Sequence, residues 1–217
     1  MTVRLALFDC DGTLVDGQAG VCNAMEAAFA DAGLPAPDRH RVRRIVGLSL
    51  PQAIRLLIPD SDEHQITAID AAYRARFRAA REAGLLVEPL YDGIAELITN
   101  LSAAGWVLGV ATGKSQRGLE HCLAMHGLTK YFATLQTADH HPSKPHPAMI
   151  AAALAETGAA PEHTVMIGDT VFDMAMAEAA GVRALGVDWG YHTAAELLGA
   201  GAAAVAANPA QLEELLQ

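Results

Sequence analysis

Short apolar runs that stop abruptly at polar residues recur along the chain. Residues 3–8 end at Asp9, with Gly12 close behind. The same pattern returns at 106–111, 164–167 and 182–187, and in weaker form at 132–136 and 203–206. Continuous apolar runs bounded by turn residues suit strands buried on both faces of a parallel sheet. Helical patterns lie between them, at 92–104, 115–126, 147–157 and 173–180. Strand and helix in alternation predict an α/β fold with a doubly wound, Rossmann-like parallel sheet.

Residues 16–88 break the alternation and read as helix after helix. An alanine-rich stretch, 18–32, ends at Gly33 before a Leu-Pro-Ala-Pro break. Asp38 is placed to cap a helix that stops at Gly47. Residues 50–58 are amphipathic and halt at Pro59, and Ser61 or Asp62 can cap a longer helix closed by Gly84. The expected organisation is a core built from 1–15 and 89–217, with an all-helical cap, 16–88, inserted after the first strand.

Composition narrows the function. Hydrophobic residues make up 52% of the 217, which excludes general disorder, and aromatics only 5%, so the core is aliphatic. Fifteen Lys and Arg against 25 Asp and Glu give a net charge of −10. Such a chain is a poor electrostatic partner for nucleic acid or an anionic membrane. Cys10, Cys22 and Cys122 have no metal-type spacing and fit a reducing compartment. No run approaches the ~18 apolar residues of a membrane span, and a cytoplasmic protein is expected.

Four polar clusters follow apolar runs, where open α/β sheets bind ligands. In Asp9-Cys10-Asp11-Gly12-Thr13, two carboxylates can reach one site if the chain turns at Gly12. One can attack phosphorus, and its neighbour can protonate a leaving oxygen and later activate water. Taken alone, the pair is equally compatible with solvated acids at a strand end. Thr112-Gly113-Lys114-Ser115 offers a hydroxyl and backbone N–H groups at a helix start, an anion pocket or an ordinary cap. Lys144, between prolines, is a cation on a stiff backbone. The nearby His140, His141 and His146 lack ligand-type partners. In residues 168–173, Asp169 and Asp173 straddle a strand-to-helix turn as oxygen donors suited to Mg²⁺. Four acids against one lysine would repel a phosphate dianion, so the set predicts a metal requirement.

These four motifs, in this order, resemble those of the haloacid dehalogenase superfamily of phosphohydrolases, and the match spans essentially the whole chain. The resemblance implies Asp9 as nucleophile and Asp11 as general acid/base. It implies Thr112, Gly113 and Lys144 as phosphate binders. It implies Mg²⁺ held by Asp9, the Asp11 backbone, Asp169 and Asp173. Asp11 argues against a dehalogenase, whose first motif lacks the second acid. The first cap helix lacks the histidine of the β-phosphoglucomutases, and residues 16–88 contain no lysine for phosphonatase chemistry. The chain is similar to phosphoglycolate phosphatases, which implies a small phosphorylated metabolite, foremost 2-phosphoglycolate. Pyrophosphatase, nucleotidase, and sugar-phosphate phosphatase or mutase are the alternatives. Residues 44–50 look like the cap loop that faces the site in that group, making Arg44, Gly47 and Ser49 candidate substrate contacts; Arg43 or Arg44 could meet a carboxylate. Hinges are expected at 16–18 and 87–91, the first loosened by Gly17, where many relatives carry serine. The expected assembly is a monomer or homodimer. A receiver-like signalling module and a silent binding scaffold are competing readings from other classes.

Overall fold

The computed structural model describes residues 2–217. After β1 (Leu5–Phe8) come four helices, α1 (Gln18–Asp31), α2 (Arg39–Arg44), α3 (Leu50–Leu57) and α4 (Glu63–Glu82). The chain continues through α5 (Ile94–Ala103), β2 (Val107–Thr112), α6 (Gln116–Met125), β3 (Phe132–Thr137) and α7 (Ala148–Thr157). It closes with β4 (Thr164–Gly168), α8 (Val171–Ala180), β5 (Arg183–Val187), α9 (Ala194–Gly199), β6 (Ala204–Ala206) and α10 (Pro209–Leu216). The six strands form one parallel sheet in the order β3-β2-β1-β4-β5-β6. Every run of the sequence expectation is a strand, including the weak 132–136 and 203–206.

α9 and α10 were not anticipated from the helical patterns. Both carry local signals. Thr193 and Glu196 form a reciprocal capping box, and the Asn208 side chain accepts from the Gln211 N–H with Pro209 in the first turn. Of the expected caps, Asp38 accepts from the His40 N–H and Asp62, not Ser61, accepts from the Gln65 N–H.

Alternate residues of β1 serve opposite layers, as a two-residue period requires. Ala6 and Phe8 pack with Ile94, Leu97 and Leu101 of α5 and Leu119 of α6. Leu5 and Leu7 pack with Met149 and Ile150 of α7 and Met174 of α8. α1–α4 have a third apolar cluster of their own, with Met25 and Phe29 of α1 meeting Ile54 of α3 and Ile69 of α4. The two chain segments that lead into and out of these helices run side by side. Val15 bridges Leu90, and the Asp16 N–H donates to the Pro89 carbonyl at 2.9 Å.

β1 sits where the strand order reverses, flanked by β2 on one side and β4 on the other. At such a switch point the loops beyond the carboxyl ends diverge and leave a crevice. Asp9 leaves β1 and Asp169 leaves β4 at that crevice. Among the described residues no helix is long and apolar enough to cross a membrane.

Candidate active site

The turn after β1 has little freedom. Gly12 has φ +88°, and a Cβ there would lie 2.2 Å from Asp169 Oδ2. Only glycine fits both the left-handed backbone and the contact. The turn is tied to its surroundings by the Asp9 N–H, which donates to the Ile167 carbonyl at 2.8 Å, and by Thr13 Oγ1, which donates to Asp169 Oδ1 at 3.0 Å.

Asp9, Asp169 and Asp173 are fully buried and offer one oxygen each within 4.8 Å of the others. Lys144, also fully buried, stands 2.9 Å from Asp9 Oδ1 and donates to Asp173 Oδ1 at 2.5 Å. The Lys144–Asp9 contact is an ion pair without hydrogen-bond alignment, so neither carboxylate oxygen of Asp9 has a hydrogen-bond partner. Asp173 Oδ2 is occupied by the Thr170 N–H and hydroxyl, and Asp169 Oδ2 by the Tyr191 N–H. Burial raises the Asp9 carboxyl to about 6, Lys144 pulling it down and Asp173 pushing it up. Burial, then Asp9 and Asp173, push Asp169 well above the usual range. Burial opposes the Lys144 charge, but Asp173 and Asp9 hold its ammonium above the ordinary lysine range.

With all three carboxyls ionised, one ammonium leaves two negative charges uncompensated, and Asp9 Oδ2 is buried without a polar partner. Hard oxygen donors with that charge fit a divalent cation such as Mg²⁺. The Asp11 carboxylate stands outside the trio. His140, His141 and His146 join no metal-type cluster among the described residues. His141 contacts Gln136, and His146 accepts from the Ala148 N–H.

Asp11 instead meets Lys114, whose ammonium donates to both its oxygens at 2.8 and 3.0 Å and to Glu88 Oε1 at 2.7 Å. Burial opposes that charge, yet Asp11 and Glu88 help hold Lys114 well above the ordinary lysine range. Sequence reasoning assigned no role to Lys114 or Glu88, because the partners lie on three separate segments. It also treated Gly17 as a hinge feature only. A Cβ on Gly17 would lie 2.7 Å from Asp11 Oδ1, so this glycine bears on the carboxylate itself.

The cap loop closes on the core. A Cβ on Gly113 would lie 2.5 Å from the Leu48 carbonyl, and Gly47 lies over Thr170 and Asp9. Thr112, buried at the end of β2, accepts weakly from the Lys114 N–H at 3.3 Å. Gly47 lines a cavity of about 260 Å³ between α1–α4 and the sheet, together with Asp11, Thr112, Gly113 and Lys114. Arg44 and Ser49 do not line it. The Arg44 guanidinium is engaged by Glu196 at 2.6 and 3.0 Å, and the Ser49 N–H donates to Ser143 Oγ at 2.7 Å. Both join cap to core. Arg43 lies on the exposed side of α2.

A doubly wound sheet, a buried acid trio with a lysine at its switch point, and a helical cap over the cavity define a class of phosphoryl-transfer scaffold. Residues 6–187 match the family model of haloacid dehalogenase-like hydrolases, and the chain belongs to that family. It is 40% identical over 199 residues to a probable phosphatase, IndB, of Dickeya dadantii, covering 89% of this chain and 84% of that protein. It is 30% identical over 193 residues to phosphoglycolate phosphatase 1 of Pseudomonas aeruginosa, covering 87% and 71%. A haloacid dehalogenase-like hydrolase structure from Streptococcus pneumoniae superposes with a TM-score of 0.86 at 28% identity, covering 99% of each chain.

Proposed function

We propose that the chain hydrolyses phosphomonoesters of small metabolites with Mg²⁺, through an aspartyl-phosphate on Asp9. The observation that carries this reading is the buried Asp9 carboxylate at the end of β1, whose Oδ1 faces the Lys144 ammonium at 2.9 Å and whose Oδ2 has no polar partner. An oxygen with unengaged lone pairs is available to attack phosphorus. The Asp9–phosphorus bond forms as the ester oxygen leaves, and water then cleaves the acyl phosphate to restore Asp9.

Asp9, Asp169 and Asp173, with the Asp11 backbone carbonyl, would hold Mg²⁺, whose charge would offset that of the phosphoryl oxygens. Lys144 orients the nucleophile and supplies a positive charge beside the transferred group. The Thr112 hydroxyl and Gly113 N–H face the same group from the β2 end. Asp11 gives a proton to the departing alkoxide and takes one from the incoming water. Lys114 fixes its carboxylate at the cavity wall. The Gly47–Leu48 carbonyls on Gly113 exclude bulk water while the ester is bound.

2-Phosphoglycolate is the substrate that the resemblance implies, and one relative is named for it; the cavity also admits larger esters. The expected result for Asp9→Asn is a loss of turnover of at least about 10³-fold with a native circular dichroism spectrum. Phosphate release near the wild-type rate would overturn the nucleophile assignment.

A further inference from the structure

Twelve of the chain's cations are arginines, and most are engaged. Arg39, Arg44, Arg55, Arg74 and Arg76 form ion pairs. Arg4, Arg41, Arg43 and Arg183 donate to backbone carbonyls. Among the described residues the remaining three, Arg78, Arg81 and Arg117, have no ion pair and no hydrogen bond. All three line the one cavity between cap and core. In a chain of net charge −10, three uncompensated guanidinium groups at one mouth form a local field of opposite sign. Arg81 Nε is buried there without a partner. The other charged groups lining the cavity are matched, Lys114 by Asp11 and Arg74 by Asp139.

The wall between these arginines and the phosphate-binding end is apolar. Tyr73 and Phe77 stack at 5.7 Å with an interplanar angle of 23°, and Val21, Met25 and Leu48 face the same space. The Arg81 guanidinium lies 5.9 Å from the Phe77 ring centre. A volume of about 260 Å³ approaches the roughly 300 Å³ at which small-molecule pockets begin. Glycolate would leave most of it empty.

Resting on the phosphatase reading above, we propose that Arg78, Arg81 and Arg117 form a second anion subsite, and that the substrate is a phosphomonoester of a ring-bearing alcohol with a distal anionic group. The ring lies against Phe77, and the distal carboxylate or phosphate meets the guanidinium fork, which suits either anion. The carboxylate contact expected of Arg43 or Arg44 thus falls instead to arginines of α4 and α6.

Non-hydrolysable ligands test the subsite apart from catalysis. Calorimetric affinities of the whole chain with Mg²⁺ are compared for phosphonoacetate, benzylphosphonate and 4-carboxybenzylphosphonate. The carboxylated ring compound is expected to bind at least about tenfold more tightly than either of the others. Replacing Arg81 and Arg117 with methionine is expected to shrink its advantage over benzylphosphonate to under about threefold. Should that double variant fail to fold, the exposed Arg78→Met alone reports the same ratio. Equal affinities for the two benzyl compounds, an unchanged ratio in the variant, or tightest binding of phosphonoacetate would overturn the subsite. Turnover of benzyl phosphate is a separate readout. Its absence would count against the phosphatase reading and leave the binding series to decide the subsite.

Discussion

Replacing Lys114 with methionine tests the best-buried charge cluster outside the acid trio. The Lys114 side chain is 7% exposed, Asp11 11% and Glu88 1%. At 2.7–2.8 Å and an effective dielectric near 20, each attraction is about 6 kcal/mol before the cost of desolvation. That cost consumes much of the gain, but it is not recovered when only the cation is removed. Two carboxylates then remain facing one another, and Glu88 Oε2 already lacks a partner. Breaking a buried pair in this way costs about 3–5 kcal/mol. For a chain of this length that lowers Tm by roughly 6–20 °C. Scanning calorimetry of wild type, Lys114→Met and Lys114→Met/Glu88→Gln at pH 7 is the assay. The second substitution should restore part of the loss. A Tm within about 2 °C of wild type at pH 7 would show that water already solvates these groups and would refute the reasoning.

Mg²⁺ at 100 times its Kd should stabilise the fold by about 2.7 kcal/mol, raising Tm by roughly 5–10 °C; Asp169→Asn should abolish that rise in thermal scans. Gly113→Ala puts a methyl 2.5 Å from the Leu48 carbonyl, so the cap loop must lift; faster hydrogen exchange across residues 44–50 with little change in Tm is the expected signature. The Glu196 carboxyl is held at about 2 against an ordinary 4.5, first by Arg44 and then by Thr193. A depressed acid contributes above its unfolded value and loses that contribution as pH falls from 4.5 toward 2. The Arg44–Glu196 contact should therefore weaken across that window, and Arg44→Met should return the Glu196 carboxyl, titrated by NMR, toward its ordinary value; an unchanged titration would refute the pairing.

The sheet and the acid trio were legible because each depends on local pattern. A buried parallel strand is an unbroken apolar run, and the candidate site side chain is the first polar residue after it, as at Phe8–Asp9 and Gly168–Asp169. Helix ends with side-chain caps, such as Asp38 and Asp62, were legible for the same reason. The pairings that closed the site were not. Lys114 meets Glu88 across 26 positions and Asp11 across 103. Arg44 drew attention through the resemblance of residues 44–50 to a cap loop, and its partner Glu196, 152 residues away, was not visible locally. The free arginines of α4 were indistinguishable from paired ones, since an exposed helical arginine has the same local sequence whether or not a carboxylate reaches it. Arg76, two positions before Arg78, is bound to Asp31.

β1 is the first strand in the chain and the middle of the sheet, and its partners begin only at Val107 and Thr164. During synthesis Leu5–Phe8 therefore emerges as a wholly apolar segment, one edge of which has no partner until residues 107–110 exist and the other none until residues 164–167 exist. Closing such a distant loop is slow, and an unpaired strand is an aggregation template meanwhile. The four helices that follow need no such delay, since their apolar cluster draws only on residues between Val21 and Phe77. Once residue 88 has cleared the ribosome, a nascent chain is thus expected to carry a folded helical bundle tethered to a sticky, unpaired strand segment. A strand made long before its partners is among the last to be satisfied.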